Sequence, residues 1–156
     1  MANLMKAGTE LPYYVERPCW RVSPPDLSEF LRHLSAFAPH GAIFCLESGG
    51  ATEIEAYLRE RPASYENEID QGFLRMSPKV FYMPATGENL RGLAALSDGY
   101  AEPEVGNSLR VYYGGRVMLS WDDLPDDPIY IAGEVDEGAV RRFCEMLESE
   151  YAAEAA

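Results

Sequence analysis

Side chains that hold metals or carry nucleophilic catalysis are scarce in this chain. Among 156 residues stand two histidines, His33 and His40, and three cysteines, Cys19, Cys45 and Cys144. Two histidines exclude a multi-histidine metal site and leave little of the commonest general base. No Cys-x-x-Cys pair occurs, which removes zinc ribbons and thioredoxin-type redox chemistry. Three widely separated cysteines in apolar segments are not the dense, even framework of a secreted scaffold, and they read as reduced, buried thiols. No metal and no cofactor is expected. Lysine is nearly missing too: of thirteen basic residues only Lys6 and Lys79 are Lys. Long apolar runs are absent, the longest being about five residues against the ~20 of a membrane span. The residues after Met1 lack the apolar stretch of a secretory signal, so the expected compartment is the cytoplasm.

Acids are what the chain has in excess. Twenty-six Asp and Glu leave a net charge of −13, and a field of that sign repels phosphate backbones and anionic lipid surfaces. Neither nucleic acid nor membrane is an expected partner. The acidity grows toward the C-terminal end, where Asp122 to Glu154 hold eleven acids against Arg141 and Arg142. The remaining composition, 47% apolar and 12% aromatic, is that of one domain able to bury a core.

Periodicity divides the chain into alternating strands and helices. Residues 13–15 and 19–22 read as extended, interrupted by Pro18, which has no N–H for a ladder. Ser23-Pro24-Pro25-Asp26 carries a capping Ser and first-turn Pro, and Leu27, Phe30, Leu31, Leu34 and Phe37 then form one apolar helical stripe. Residues 42–46, a continuous apolar run, suit a central buried strand. Residues 52–61 form a helix with Ile54, Tyr57 and Leu58 inward, stopped by Pro62. Residues 62–78 show neither period, and a loop of that length is usually functional or mobile. Residues 79–83 are a further strand, and Thr86 caps a helix facing inward with Leu90, Leu93 and Ala94. Residues 109–113 and 116–121 flank Gly114-Gly115, a two-residue loop that accepts the positive φ angles of a tight hairpin. Residues 129–132 form a short strand. Asp136 then opens a helix with Val140, Phe143, Cys144, Leu147 and Tyr151 on one face.

The order β-α-β-α-β-α-β-β-β-α predicts an α/β (α+β) fold. It is a single-domain two-layer sandwich, with a mixed sheet of five to six strands and about four helices. Helix crossovers are expected to make parallel neighbours and the hairpin an antiparallel pair. The domain spans 13–151, behind a partly mobile leader at 1–12 and before a fraying tail at 152–156.

Four carboxylates in six positions, Asp122, Asp123, Asp126 and Asp127, follow directly on Trp121. They lack the alternation and the Gly of a calcium loop, and they suit a contact surface for a basic protein. Trp121 or nearby Tyr113 would be the apolar anchor, although Trp121 could equally end its strand by closing the core. The expected function is therefore a non-enzymatic protein-binding module. Size and charge resemble those of small immunity-type inhibitors that mask a basic toxin or effector, a class-level analogy. The alternative is a small hydrolase-like enzyme built at strand ends from Glu47, Ser48, His40 and the 62–78 loop. Glu47-Ser48-Gly49-Gly50 sits where a nucleophile elbow or phosphate loop would, but Leu46 replaces the first Gly of an elbow and no Lys supports a phosphate. Tyr112, Tyr113 and Tyr130 are not interleaved with basic residues, so packing explains them better than base stacking.

Overall fold

The computed structural model describes residues 14–63 and 79–156. The leader and nearly all of the 62–78 loop lie outside the described residues. One sheet organises the rest, with strands β1 (Cys19–Val22), β2 (Ile43–Ser48), β3 (Val80–Pro84), β4 (Gly106–Tyr113), β5 (Arg116–Trp121), β6 (Ile129–Ala132) and β7 (Tyr151–Glu154). Five described helices join them: α1 (Leu27–Phe37), α2 (Thr52–Arg59), α3 (Gly87–Ser97), α4 (Glu102–Val105) and α5 (Glu137–Leu147). The class is the expected α+β. Among the described residues, however, the sheet has seven strands in the order β3-β2-β4-β5-β6-β1-β7, and each of their pairings is antiparallel.

The mixed sheet is thus corrected, for a topological reason. Following the pairings outward, β1 and β2 run in the same direction, as a strand–helix–strand unit requires, but β4, β5 and β6 lie between them. Likewise β3 and β4 are parallel across β2, and β6 and β7 are parallel across β1. The crossovers from β1 to β2, from β3 to β4 and from β6 to β7 each skip at least one position, and an antiparallel strand fills the gap, whereas β3, which follows α2, is the direct antiparallel neighbour of β2.

The apolar stripes of α1, α2, α3 and α5 cover one face of the sheet. Leu27, Phe30, Leu31, Leu34, Ile54, Leu58, Leu90, Leu93, Val140 and Phe143 meet Phe44, Leu46, Met83, Leu109, Val111, Leu119, Ile129 and Ile131 in a single core. A smaller cluster of Cys45, Tyr112 and Val117 occupies the other face. The run predicted at 42–46 is an interior strand, β2, with Phe44, Cys45 and Leu46 buried and Ile43 half-buried.

Two local expectations change. The cap of α1 is Asp26, whose carboxylate accepts the Glu29 N–H at 3.1 Å, and the Glu102 carboxylate accepts the Leu27 N–H at 3.0 Å. Both place negative charge at the positive end of the helix. Ser23 instead ties strands together: its N–H donates to the Glu150 carbonyl, and its hydroxyl accepts from the Glu150 N–H. The second change is at the C-terminal end. The helix predicted through Tyr151 stops at Leu147, Glu148 takes a left-handed conformation at φ 56°, and the expected frayed tail runs back as β7 beside β1. The Gly114-Gly115 hairpin is as expected, with φ of 63° and 79°.

Candidate functional site

The acidic loop joins β5 to β6 at one end of the sheet. Its geometry starts from Trp121, the last residue of β5, which points into the core against Phe30 with ring centroids 5.1 Å apart. A buried indole N–H needs an acceptor, and this one donates to the Asp127 carbonyl at 2.8 Å. Leu124 is also buried, and its N–H donates to the Asn107 carbonyl at 2.9 Å. The N–H groups of Asp126 and Asp127 donate to the Asp123 carbonyl at 3.1 and 3.3 Å. The loop is therefore fastened by its backbone and by two apolar side chains pointing inward, which leaves its carboxylates outward.

Asp122, Asp123 and Asp126 are exposed and Asp127 is half-buried. Beside them runs a polar strip on the sheet face away from the helices. The Ser108 hydroxyl donates to Glu47 Oε1 at 2.8 Å, Arg110 Nη1 donates to the Ser108 oxygen at 3.3 Å, and Arg110 Nη2 donates to Asp122 Oδ1 at 3.0 Å. Burial lifts the Asp122 carboxyl above its ordinary range; Arg110 opposes the shift, and the charges of Asp127, Glu47 and Asp123 add to it. Asp122, Asp123, Asp126, Asp127 and Glu47 outnumber the Arg110 guanidinium paired with them, so these residues together carry a net negative formal charge. Among the described residues, no three His, Cys, Asp or Glu side chains are grouped to hold a metal ion.

The structure does not bring all the predicted contact residues together. The four Asp share the loop, but Trp121 is 0% exposed and cannot be a surface anchor in this conformation. Its indole matched a backbone acceptor that no sequence pattern announces. Tyr113 is 49% exposed, yet it lies beside the hairpin at the opposite end of the sheet. Tyr112 is buried against Tyr82, and Tyr130 lies two strands away opposite Ser120, so these rings form no common platform.

The residues of the hydrolase-like alternative are also dispersed. The Ser48 hydroxyl donates to Glu55 Oε2 at 2.6 Å and accepts the Gly50 N–H at 3.0 Å, which makes it a buried brace of the turn. Glu55, nearly buried itself, faces Lys79 at 3.5 Å and Arg59 at 3.8 Å. Gly49 is needed there for space, since a Cβ would come within 1.9 Å of the Pro103 carbonyl oxygen. His40 precedes β2 and Ser48 ends it, a separation of roughly 20 Å or more at about 3.3 Å per residue. His33 Nε2 stands 3.4 Å from Glu29 on the outer side of α1. Sequence reasoning missed Ser108, Arg110 and Glu55, whose roles depend on partners that folding brings alongside: Glu47 for Ser108, Asp122 for Arg110, and Ser48 and Lys79 for Glu55. Cys19, Cys45 and Cys144 are buried and in no disulfide. No helix among the described residues is long and apolar enough to cross a membrane.

Comparisons of the chain with protein-family models, with curated proteins and with solved structures found no match.

Proposed function

We propose that the protein is a non-enzymatic binding module whose acidic loop engages a basic protein. The observation that carries the reading is the fastening of the loop. Trp121 and Leu124 anchor it from inside, so Asp122, Asp123, Asp126 and Asp127 are held in place before a partner arrives. A surface ordered in advance loses less entropy on association than a flexible acidic tail would. The partner class follows from charge. A field of −13 steers cations toward the molecule, and Arg110 is the cation paired with the loop, through Asp122. In its finer form this is an immunity-type inhibitor that masks a basic toxin or effector, supported by size and charge alone.

The experiment compares the wild type with a variant carrying Asp→Asn at positions 122, 123, 126 and 127. Both are immobilised, exposed to extracts of the producing cell and to purified basic proteins, and any captured protein is purified and measured by calorimetry. A basic protein should bind the wild type, with at least tenfold weaker affinity for the variant and with association slowing as salt rises. Capture of no basic protein, or equal affinity for the neutralised variant at low salt, overturns the reading. A growth assay then separates the finer form, because an inhibitor should rescue cells that express its partner whereas a plain binder should not.

A further inference from the structure

A cavity of about 440 Å³ opens at the other end of β5, roughly 17 Å from the acidic loop at about 3.3 Å per residue. Its apolar walls include Phe37 from the end of α1, Val117 and Met118 from β5, Ala132 from β6 and Val135 just beyond it. Two features of the chain keep this space open. The register between β4 and β5 slips, so that Val111 faces Leu119 while Tyr112 faces Val117, and Met118 becomes an extra residue. Such a bulge bends its strand and re-aims side chains, a device common at binding sites. In addition α1 ends at Phe37, which stacks on Phe143 with ring centroids 4.4 Å apart and planes 9° apart, and the chain turns away through Ala38 and Pro39. The helical layer therefore stops where the sheet continues.

Among the described residues, the charged members of the lining are Arg116 and Glu134. They pair with each other at 2.9 Å, 74% and 58% exposed, so the lining presents no net charge. A second cavity of about 140 Å³ shares Arg116, Val117, Ala132 and Glu134 and adds Tyr14, Val15 and Glu16.

We infer that the 440 Å³ cavity is a binding site for an uncharged, mainly apolar small molecule, with the Arg116–Glu134 pair at its rim. Its volume lies within the ~300–1,000 Å³ of small-molecule sites, and its apolar lining with a few polar groups is their usual composition. An apolar ligand seated against these walls removes its own surface and theirs from water, a gain that needs no specific polar partner. An ion pair this exposed is screened by water and contributes little, so the rim can part to admit a ligand at little cost. Anions are disfavoured, since among the described lining residues the one cation, Arg116, is paired with Glu134, and the whole molecule repels them.

The test uses the full chain with two dyes, uncharged Nile red and anionic anilinonaphthalene sulfonate, followed by fluorescence and by ¹H–¹⁵N spectra. The Trp20 indole N–H donates to the Val135 carbonyl at 3.1 Å, so it reports on the cavity wall, while the Trp121 indole at the far end of the sheet is an internal control. Nile red should bind saturably with 1:1 stoichiometry and shift the Trp20 indole signal and the backbone signals of Val117, Met118 and Val135. The Trp121 signal should stay in place. Val135→Phe should weaken binding at least tenfold, whereas Ala36→Phe, in the neighbouring groove between α1 and α5, should not. Absence of saturable binding, shifts centred on that groove, or tighter binding of the anionic dye each overturn the inference. The wild-type spectra decide the matter even if a variant fails to fold. Because the acidic loop lies at the opposite pole, failure here leaves the basic-partner reading intact, and the reverse also holds.

Discussion

Burial sets the chemistry of single residues in this protein more than residue type does. Ser48 has a hydroxyl in a turn between strand and helix, yet its donation to Glu55 and acceptance from Gly50 use it for structure. Asp122 is partly desolvated, and that desolvation raises its pKa against the opposing charge of Arg110. Cys144 shows the effect most clearly, because burial alone pushes its thiol from 9.0 to about 11. Between those values the unfolded chain loses the proton while the fold retains it. Stability contributed by this group is therefore complete below about pH 9 and declines as pH rises toward about 11. Cys144→Ala should flatten that part of the stability–pH profile in urea titrations, and an identical slope in the variant would contradict the assignment. In the wild type at neutral pH, Cys144 should react with a thiol reagent only as the protein unfolds.

At the level of elements, helix starts and strand cores were readable, and the last strand was not. Asp136 and Thr86 stand as N-caps where the sequence put them, accepting the N–H groups of Ala139 and Asn89. A cap is a local event within four residues, so local sequence found these two, but at α1 the same reading pointed to Ser23 when Asp26 caps the helix and the distant Glu102 accepts the Leu27 N–H. The position of Tyr151 on the stripe of α5 continued a helical period, but Glu148 reverses the chain and β1 provides a ladder that no local pattern encodes. Tyr151 then packs edge-on against Trp20 at 5.9 Å. Deleting residues 150–156 removes that ring contact and the ladder between β1 and β7. The loss should be about 2–4 kcal/mol, summing a few hydrogen bonds at ~0.5–1.5 kcal/mol each and an aromatic pair of similar worth. Chemical denaturation checks this, and an unchanged midpoint would mean that β7 adds nothing to the fold.

For the whole molecule, charge is the dominant long-range term. With a net charge of −13, self-repulsion should outweigh exposed ion pairs such as Arg116–Glu134. Raising salt from ~0.01 to ~0.15 M shortens the screening length from ~30 to ~8 Å, and Tm should rise by a few degrees. A falling Tm in calorimetry would show that the ion pairs prevail. The same charge was fully legible in the sequence, as were the α+β class, the apolar helix faces, the glycine hairpin and the carboxylates of the acidic loop. Each depends on composition or on neighbours a few residues apart. Only the tertiary structure decided the all-antiparallel order, the inward turn of Trp121, the separation of Tyr113 from the acidic loop and the cavity beside Met118. These depend on which strands lie between two ends of a crossover, and on which distant backbone carbonyl meets a buried N–H. Hydrophobic periodicity tells a side chain which face of its own element is buried; it carries no information about the partner across that face, which the packing of the entire chain selects.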